Sequence, residues 1–502
     1  MLLTAARVEA ELKSTKKEPA ALVGAYAAGE AIASGQPWCL LDTYHRHLER
    51  QYATFDLNVS GEHDKLEKVI AAARHRYSGV AGRCAEAMTG ALVASGFELE
   101  GFAHQREVFS SHVAPQSREG KTAYLLVDAL RYEMARELVE GLGDGFDVQL
   151  VPAVAQLPTI TDVGMAAIMP NAEKGLELVP AGAGKVAIQI GDATLKDRPK
   201  RVAHLRSAVP GELVDLKLNN LMKPSKKQRE EIEAADFVLV TSQEIDRRGE
   251  ETEDEEEARR YMDEVLDKLR RGVRTLGKLG VENIVIVADH GHLFGEVLDS
   301  GMKIDPPGGD TVDLHRRVWI GRGGATGDAF VRVPAGQLGL GRELELAFPR
   351  GLGCFKTPGG GTAFFHGGTS LQELVVPLAI MKLRKEAAPE IAAAIIELTM
   401  DKANITNRLF SVVARYAGGS LFAAAEKRVK VSVCSGRQEI GTAAYGFEDG
   451  TQEVVLKQGK PNAITVMLTG DTDVSSVSIH VIDTVSQVEL TSMKNVPVDI
   501  AV

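Results

Sequence analysis

From Thr122 to Asp128 the chain reads TAYLLVD, a short and almost wholly apolar run that ends in an aspartate. A nearly continuous apolar run of this length is expected of a strand that is buried on both faces. Residues 130–142 then show the apolar spacing of a helix. A strand, a polar residue and a helix in this order are typical of a parallel α/β sheet.

The same kind of apolar run recurs along the middle of the chain. Further strands are predicted at Val148–Val154, Val186–Ile190, Phe237–Val240, Ile284–Ala288 and Leu374–Met381. Helical segments lie between them, among them Val163–Met169 and the amphipathic stretch Met262–Leu276. We therefore predict an α/β fold whose mostly parallel sheet is flanked by helices.

The two ends of the chain have other periodicities. Apolar residues recur at helical spacing near residues 66–73, whereas they alternate with polar residues at 429–433. We predict a helical N-terminal region (residues 1–115), a central α/β domain (116–388) and a C-terminal β-sandwich without catalytic groups (389–502).

The composition of the chain limits the classes of protein to which it can belong. Of 502 residues, 44% are hydrophobic and 25% are charged, the profile of a soluble globular chain. The net charge of −11 argues against nucleic-acid binding by bulk charge, although a local basic groove stays open. No apolar run approaches the roughly 20 residues of a membrane span, and no signal peptide is evident. The four cysteines are far apart, so we expect no disulfide framework and a cytoplasmic location.

Polar residues that end the apolar runs are the candidates for a site, because open α/β sheets bind ligands beyond the carboxyl ends of their strands. They are Asp128, Asp246 with Glu250, Asp289 with His290, His366 in a glycine-rich turn, and Thr159 and Thr161 at the start of a small-residue helix.

Carboxylates and imidazoles without thiolates suit zinc, manganese or magnesium. Two such ions can clamp the attacking and leaving oxygens of a phosphoryl transfer, and a hydroxyl at a helix N-terminus favours an anionic ester. Each residue alone has a simpler role, such as a helix cap or a surface histidine, but their joint occurrence at successive strand ends favours a metal site. Arg131 and Arg322 could contact phosphate or could be surface charges.

Four runs of the chain resemble the PglZ family, a branch of the alkaline-phosphatase superfamily found in bacterial BREX phage-defence systems. They are VDALRYE (127–133), PTITDVGMAA (158–167), ADHG (288–291) and HGGTSLQE (366–373). The resemblance covers roughly residues 120–385 and implies an alkaline-phosphatase-like hydrolase domain. The second run also resembles the nucleophile turn of cofactor-independent phosphoglycerate mutases, which favours Thr161 over Thr159 as the active hydroxyl.

The resemblance further implies a site with two divalent ions, zinc first and manganese or magnesium as alternatives. One ion would be surrounded by Asp128, Thr161, Asp289 and His290, and the other by Asp246, His366 and Glu250, with Thr161 and Asp128 as the catalytic residues. Ser242 stands where the family often has a histidine. The N-terminal region also looks shorter than in typical family members.

Two functions follow from these expectations. The first is a metal-dependent phosphodiesterase or nuclease that acts in phage defence on a phosphate ester or nucleic acid, with phosphomonoesterase activity as its neighbour. The second is a non-catalytic scaffold that assembles other BREX proteins, such as the methyltransferase and BrxB. Completeness of the ligand set favours the enzyme, and no membrane partner is expected.

Overall fold

The computed structural model describes residues 1–27, 35–54, 63–142, 145–182, 184–251, 255–294, 302–341, 343–357, 364–384, 395–400, 402–417, 426–436, 438–444, 453–469, 474–484 and 489–500. For residues 53–54, 63–64, 248–251, 255–261, 263, 395, 426 and 438 it describes the backbone alone. The chain divides into two compact units, Met1–Gly141 with Phe146–Leu383, and Leu142–Gly145 with Arg384–Val502. None of the described helices is long and apolar enough to cross a membrane. The domain boundaries at 115/116 and 388/389 stay predictions.

The first unit contains helices and strands in alternation. Its helices are α1 Leu2–Ser14, α2 Pro19–Ala27, α3 Leu40–Thr54, α4 His63–Ala94, α5 Ala114–Glu119, α6 Tyr132–Glu140, α7 Thr161–Ala167, α8 Arg198–Arg206, α9 Lys226–Ala234, α10 Glu244–Glu251, α11 Glu255–Lys278 and α12 Leu371–Leu374. Its strands are β1 Ala103–His104, β2 Thr122–Val127, β3 Phe146–Val154, β4 Glu177–Gly182, β5 Lys185–Ile190, β6 Ala193–Thr194, β7 Leu213–Lys217, β8 Phe237–Ser242, β9 Asn283–Ala288, β10 Leu293–Phe294, β11 Lys303–Ile304, β12 Asp310–Leu314, β13 Trp319–Arg322, β14 Phe330–Pro334, β15 Glu345–Pro349, β16 Cys354–Phe355, β17 Phe364–Phe365 and β18 Val375–Leu383.

Seven strands form the central sheet, in the order β1-β3-β18-β9-β2-β8-β7. All neighbouring pairs are parallel except the two that involve β18, which runs antiparallel to β3 and to β9. Every residue of β2 and of β9 is buried, as their apolar runs predict. The predicted mostly parallel sheet is confirmed.

Other strands of this unit differ from the sequence prediction. The run Val186–Ile190 lies in β5, which pairs with β4 and β6 in a separate antiparallel sheet and packs against α7 rather than joining the central sheet. Strand β7 was not predicted, because an edge strand of five residues is only partly buried and carries a weak apolar signal. Part of the glycine-rich stretch at 306–368 forms a four-stranded sheet, β12-β13-β15-β14.

The N-terminal helices pack on the α/β core through buried charges. In α3, Arg46 forms an ion pair with Glu133 of α6 at 3.1 Å, and both side chains are buried. Helix α3 also contacts α11, whose predicted apolar face is buried from Met262 to Leu276. The helical character predicted for this end of the chain is confirmed.

The second unit is all β, as predicted, and its strands are β19 Ile395–Thr399, β20 Leu409–Ala417, β21 Glu426–Ser435, β22 Gln438–Ala443, β23 Glu453–Lys457, β24 Pro461–Leu468, β25 Ser476–Asp483 and β26 Glu489–Pro497. They form one antiparallel sheet with β19 and β26 at its two ends. These end strands lie beside each other, so the sheet curls into a near-barrel instead of the two-sheet sandwich that we expected. Its own apolar core includes Val431, Ile464 and Ile479.

Candidate metal centre

Two aspartates follow adjacent strands at the carboxyl edge of the central sheet. Val127 of β2 is in register with Ala288 of β9, so the next residues, Asp128 and Asp289, lie side by side. The backbone N–H of Asp128 donates to the carbonyl oxygen of Ser242 at 2.9 Å, which continues the ladder between β2 and β8. Sheet register therefore brings these two carboxylates together.

The two carboxylate oxygens of Asp289 have different surroundings: one accepts backbone hydrogen bonds, and the other faces the cluster. Its Oδ1 accepts hydrogen bonds from the backbone N–H groups of Ala129 and His290, both at 2.9 Å. Ala129 adopts a φ of 60°, in the left-handed region, so the chain turns sharply directly after Asp128. Among the residues that the structure describes, Oδ2 of Asp289 and both carboxylate oxygens of Asp128 are buried without a hydrogen-bond partner. Such oxygens are suited to a cation.

Two histidines have their side chains oriented by backbone carbonyls. His290 Nδ1 lies 3.0 Å from its neighbour's carbonyl at Gly291, and His366 Nδ1 lies 3.2 Å from the carbonyl of Thr159. Because a carbonyl only accepts, each Nδ1 carries the hydrogen and each Nε2 keeps its lone pair. The two rings stack with centroids 4.1 Å apart. Each Nε2 atom can therefore act as a metal ligand.

The remaining distances define two overlapping groups. From His290 Nε2, Thr161 Oγ1 lies at 3.1 Å, Asp289 Oδ2 at 3.5 Å and Asp128 Oδ1 at 3.7 Å. From His366 Nε2, Asp246 Oδ1 lies at 3.6 Å. The ligand atoms of Asp128, Asp289 and His290 lie within 4.8 Å of one another, as do those of Asp246, His290 and His366. Glu250 lies in α10, but its side chain is outside the described part.

Burial and like charge act strongly on this cluster. Burial raises the pKa of Asp128 well above its ordinary value, and the charges of Asp289 and Asp246 raise it further. Burial also raises the pKa of Asp289 to about 7, against the lowering effect of the Ala129 N–H. The pKa of His290 is lowered by burial and by His366. The cluster thus combines buried carboxylates that repel one another with neutral imidazoles. Divalent cations suit such a set of ligands, because they would compensate the carboxylate charge.

The two threonines of the second motif have different surroundings. Thr159 Oγ1 donates to the carbonyl of Gly368 at 2.8 Å and accepts from the N–H of Gly367 at 3.2 Å, so both of its functions are used. Thr161 begins α7, and its hydroxyl faces His290. The geometry thus brings Thr161, rather than Thr159, to the cluster of candidate metal ligands.

Close backbone contacts explain two glycines of the motifs. A Cβ on Gly164 would lie 2.2 Å from the carbonyl oxygen of Asp289, and one on Gly291 would lie 1.9 Å from that of Gln372. A larger residue at either position would displace the backbone beside the cluster.

The turn that carries His366 is held by a buried ion pair. Arg317 Nη2 donates to Glu373 Oε2 at 2.9 Å, with both side chains fully buried. Glu373 Oε1 accepts from the N–H of Gly368 at 2.8 Å, and Oε2 accepts from the hydroxyl of Ser370 at 2.7 Å. The HGGTSLQE run therefore forms one connected turn that ends in α12.

Neither arginine that the sequence suggested for phosphate contact faces the cluster. Arg131 is buried and forms an ion pair with Asp42 at 2.8 Å, so it is neither a surface charge nor directed at a substrate. Arg322 pairs with Asp310 at 3.3 Å and with Glu343 at 3.5 Å on the four-stranded sheet. Sequence spacing could not reveal these partners, which are distant in the chain.

Two residues near the cluster were not predicted from the sequence. Gln105 Nε2 donates to the carbonyl oxygens of Ala288 and Asp289 at 2.8 and 2.7 Å, and it supports the end of β9. Arg201 of α8 lies within the electrostatic reach of Asp162, Asp289 and Asp128. A polar residue after a two-residue strand and an arginine inside a helix carry no distinctive sequence signal.

Comparisons with known proteins agree with this architecture. A family profile described as the BREX system PglZ alkaline phosphatase-like domain matches residues 108–381. The alkaline phosphatase-like protein PglZ of Bacillus cereus (strain H3081.97) is 25% identical over 410 residues, which cover 76% of this chain and 46% of that protein. The alkaline phosphatase-like protein BrxZ of Escherichia coli O9:H4 (strain HS) is 29% identical over 314 residues, which cover 58% and 34%. The chain thus spans less than half the length of these curated relatives.

Solved structures also align with part of the chain. Phosphonoacetate hydrolase from Sinorhizobium meliloti 1021 aligns with 54% of this chain and 92% of its own, at a TM-score of 0.33 and 11% identity. Murine ectonucleotide pyrophosphatase/phosphodiesterase 5 aligns with 52% and 87%, at a TM-score of 0.36 and 9% identity. At these values the alignments carry no information about shared chemistry.

Proposed function

The chain belongs to the PglZ family of alkaline-phosphatase-like domains, and from this premise we propose that it is a metal-dependent phosphoric ester hydrolase that cleaves phosphodiesters. The observation that supports this proposal is the convergence of five ligand residues beside the Thr161 hydroxyl, described above. We propose nucleic acid as the diester and phage defence as the setting, since the family profile is named for BREX systems.

We propose that the chain holds two divalent ions, zinc first, with manganese or magnesium as alternatives. Asp128, Thr161, Asp289 and His290 would hold one ion, and Asp246 with His366 the other. When bound, such ions act as Lewis acids on phosphoryl oxygens. Glu250 remains a proposed ligand of the second ion.

We assign the role of nucleophile to Thr161. Its hydroxyl loses its proton to solvent, its oxygen forms a bond to phosphorus, and the bond to the leaving alcohol breaks as that oxygen takes up a proton. A water molecule then cleaves the phosphothreonine ester and regenerates the hydroxyl. Phosphorus is inverted twice, so the product retains its configuration. The contact of Thr161 Oγ1 with His290 Nε2 supports this role, because the hydroxyl lies beside the residues that would hold an ion.

A scaffold function is the second candidate. The observation that favours it is Ser242, a residue that does not ligate metals as a histidine would, at the end of β8 beside the cluster. In that case the chain would assemble other BREX proteins, such as the methyltransferase and BrxB, without turnover.

Turnover of a chromogenic bis-aryl phosphodiester separates the two candidates. We expect Asp289→Ala to lower activity by more than about 100-fold, because it removes a carboxylate that holds the ion. Thr161→Ala should lower it by about 1000-fold or more if Thr161 is the nucleophile. Asp192→Ala, which changes an exposed aspartate of the same unit, is the matched control and should be silent. Each protein is assayed with Zn, Mn and Mg.

Equal activity in wild type, Asp289→Ala and Thr161→Ala would indicate a contaminant and would favour the scaffold. If water attacks directly, Thr161→Ser should be nearly silent and Thr161→Ala only partly impaired, which would remove the covalent step but leave the hydrolase. Elemental analysis that finds no stoichiometric Zn, Mn or Mg after the protein has been supplied with each ion would contradict the metal site itself.

A further inference from the structure

Arg201 is a half-buried cation of helix α8 that the metal cluster does not use. Its Nη1 atom is buried and has no hydrogen-bond partner among the described residues. No carboxylate of the described part forms an ion pair with it, although Arg198, one turn earlier, pairs with Asp215 and donates to Thr241 Oγ1. A buried guanidinium donor without a partner is costly, so the position calls for an acceptor that binds there.

The surroundings of Arg201 connect it to the candidate metal centre. It lines a small cavity together with Leu126 of β2, Met165 of α7 and Thr241 of β8. Leu126 and Thr241 are paired in register, and Asp128 is only two residues beyond Leu126. Side chains alternate along a strand, so Leu126 and Asp128 project toward the same face of the sheet. The cavity therefore lies on the face that carries Asp128, near its carboxyl edge.

The charged residues that act on Arg201 also belong to the candidate metal centre or lie next to it. Burial lowers the pKa of its guanidinium, while the carboxylates of Asp162, Asp289 and Asp128 act in the opposite direction. Asp162 directly follows Thr161, and Arg201 is the largest charged influence that lowers the pKa of Asp162. The guanidinium thus lies in the field of the residues that surround the Thr161 hydroxyl.

We propose that Arg201 is a substrate-binding residue, whose guanidinium donates to a non-bridging oxygen of the phosphoryl group at the proposed hydrolytic site. This inference rests on the proposed function and deepens it. Once cations compensate the metal-binding carboxylates, Asp162 stays in the field of Arg201 but forms no ion pair with it, and a phosphoryl oxygen supplies the missing hydrogen-bond acceptor. Arginine suits this role because its planar fork matches phosphate oxygens.

Inorganic phosphate is the probe, measured by isothermal titration into the zinc-loaded protein. We expect Arg201→Gln to weaken phosphate binding by about 10- to 100-fold, the usual effect of losing a charged hydrogen bond. Zinc stoichiometry and the thermal midpoint should stay unchanged. Arg201→Lys keeps the charge but loses the fork, so its affinity should fall between those of the two proteins. Arg206→Gln, an exposed change at the end of the same helix, is the matched control and should bind as the wild type does.

Three results would overturn the inference. One is a zinc-loaded Arg201→Gln protein that binds phosphate as tightly as wild type. Another is loss of zinc from both Arg201 variants, which would make Arg201 an organiser of the fold. The third is a zinc-loaded wild type that binds no phosphate. If this protein still hydrolyses the phosphodiester and the activity depends on Asp289, the proposed function stays intact. A wild type that binds neither phosphate nor any of Zn, Mn and Mg overturns both.

Discussion

Thr159 and Thr161 are two residues apart in one motif, yet their hydroxyls make different contacts. Thr159 connects the start of α7 to the Gly367–Gly368 turn, and its carbonyl also orients His366. Thr161 has no such bond to the turn and faces His290. Replacing each hydroxyl by a methyl group should therefore have separable effects.

We predict that Thr159→Val lowers the free energy of unfolding by about 1–3 kcal/mol, because two buried backbone groups lose their partner. Zinc affinity should fall by about 10- to 100-fold, because the Gly367–Gly368 turn next to His366 loses its hydrogen bonds to the Thr159 hydroxyl. Thr161→Val should change stability by no more than about 0.5 kcal/mol but abolish turnover. Urea denaturation and zinc titration check this. Equal loss of stability in both variants would contradict the distinction.

At the scale of single residues, the sequence indicates candidate site residues but not their geometry. Asp128 and Asp289 were identifiable because each ends a fully buried run, and strands of that kind end at one edge of a sheet. The choice between Thr159 and Thr161 needed a resemblance, since either hydroxyl could begin a helix. Arg201 was not predicted, because its proposed role depends on where α8 packs, which no local spacing encodes.

Among the elements, the turn from His366 to α12 depends on the Arg317–Glu373 ion pair. Burial alone would raise the pKa of Glu373, but the charge and hydrogen bonds of Arg317 outweigh it, so the pKa is lowered from its ordinary value. A carboxyl whose pKa is lower when folded than when unfolded stabilises the protein above the unfolded pKa. That stability is lost as the pH falls through the folded pKa.

We predict that Glu373→Gln lowers the free energy of unfolding by about 3–5 kcal/mol at pH 7, since it leaves Arg317 buried without its anion. The gap between variant and wild type should narrow as the pH falls below about 4.5, where the wild-type carboxyl begins to lose its advantage. Urea denaturation of the metal-free proteins from pH 7 to pH 3.5 measures this. A gap that is independent of pH would contradict the assignment.

The elements were predictable where burial is simple. Strand β2 has the bounds that its apolar run predicts, and β8 and β9 begin or end within two residues of theirs. The near-barrel was not predictable, because alternation of apolar and polar residues fixes which face is buried but not which strands pair. The apolar run of β5 was assigned to the central sheet for the same reason.

At the scale of the molecule, the N-terminal helices belong to the same compact unit as the α/β core. Asp42 of α3 is the centre of a buried network: it pairs with Arg131 and accepts hydrogen bonds from Tyr26, Tyr77 and Gln372. These partners come from three other helices and from the start of α6, so one carboxylate joins distant parts of the chain. This network could not be predicted from the sequence, since each partner alone is an ordinary polar residue.

The C-terminal unit, unlike the N-terminal helices, has a separate apolar core and its own antiparallel sheet. All candidate metal ligands lie in the first unit. A β unit of about 120 residues is within the usual size of an independent domain. The two compact units should therefore fold and act separately when the chain is divided after Leu383.

We predict that a chain of residues 1–383 folds, binds zinc at the stoichiometry of the whole protein and retains its turnover within about threefold, because no ligand is removed. Residues 384–502 should give a cooperative thermal transition without zinc binding, since an apolar core of this kind suffices for a small β domain. Calorimetry and elemental analysis of the two fragments test both parts. If residues 1–383 stayed folded but lost zinc, the second unit would contribute to the centre. The catalytic assignment would then have to include residues beyond Leu383.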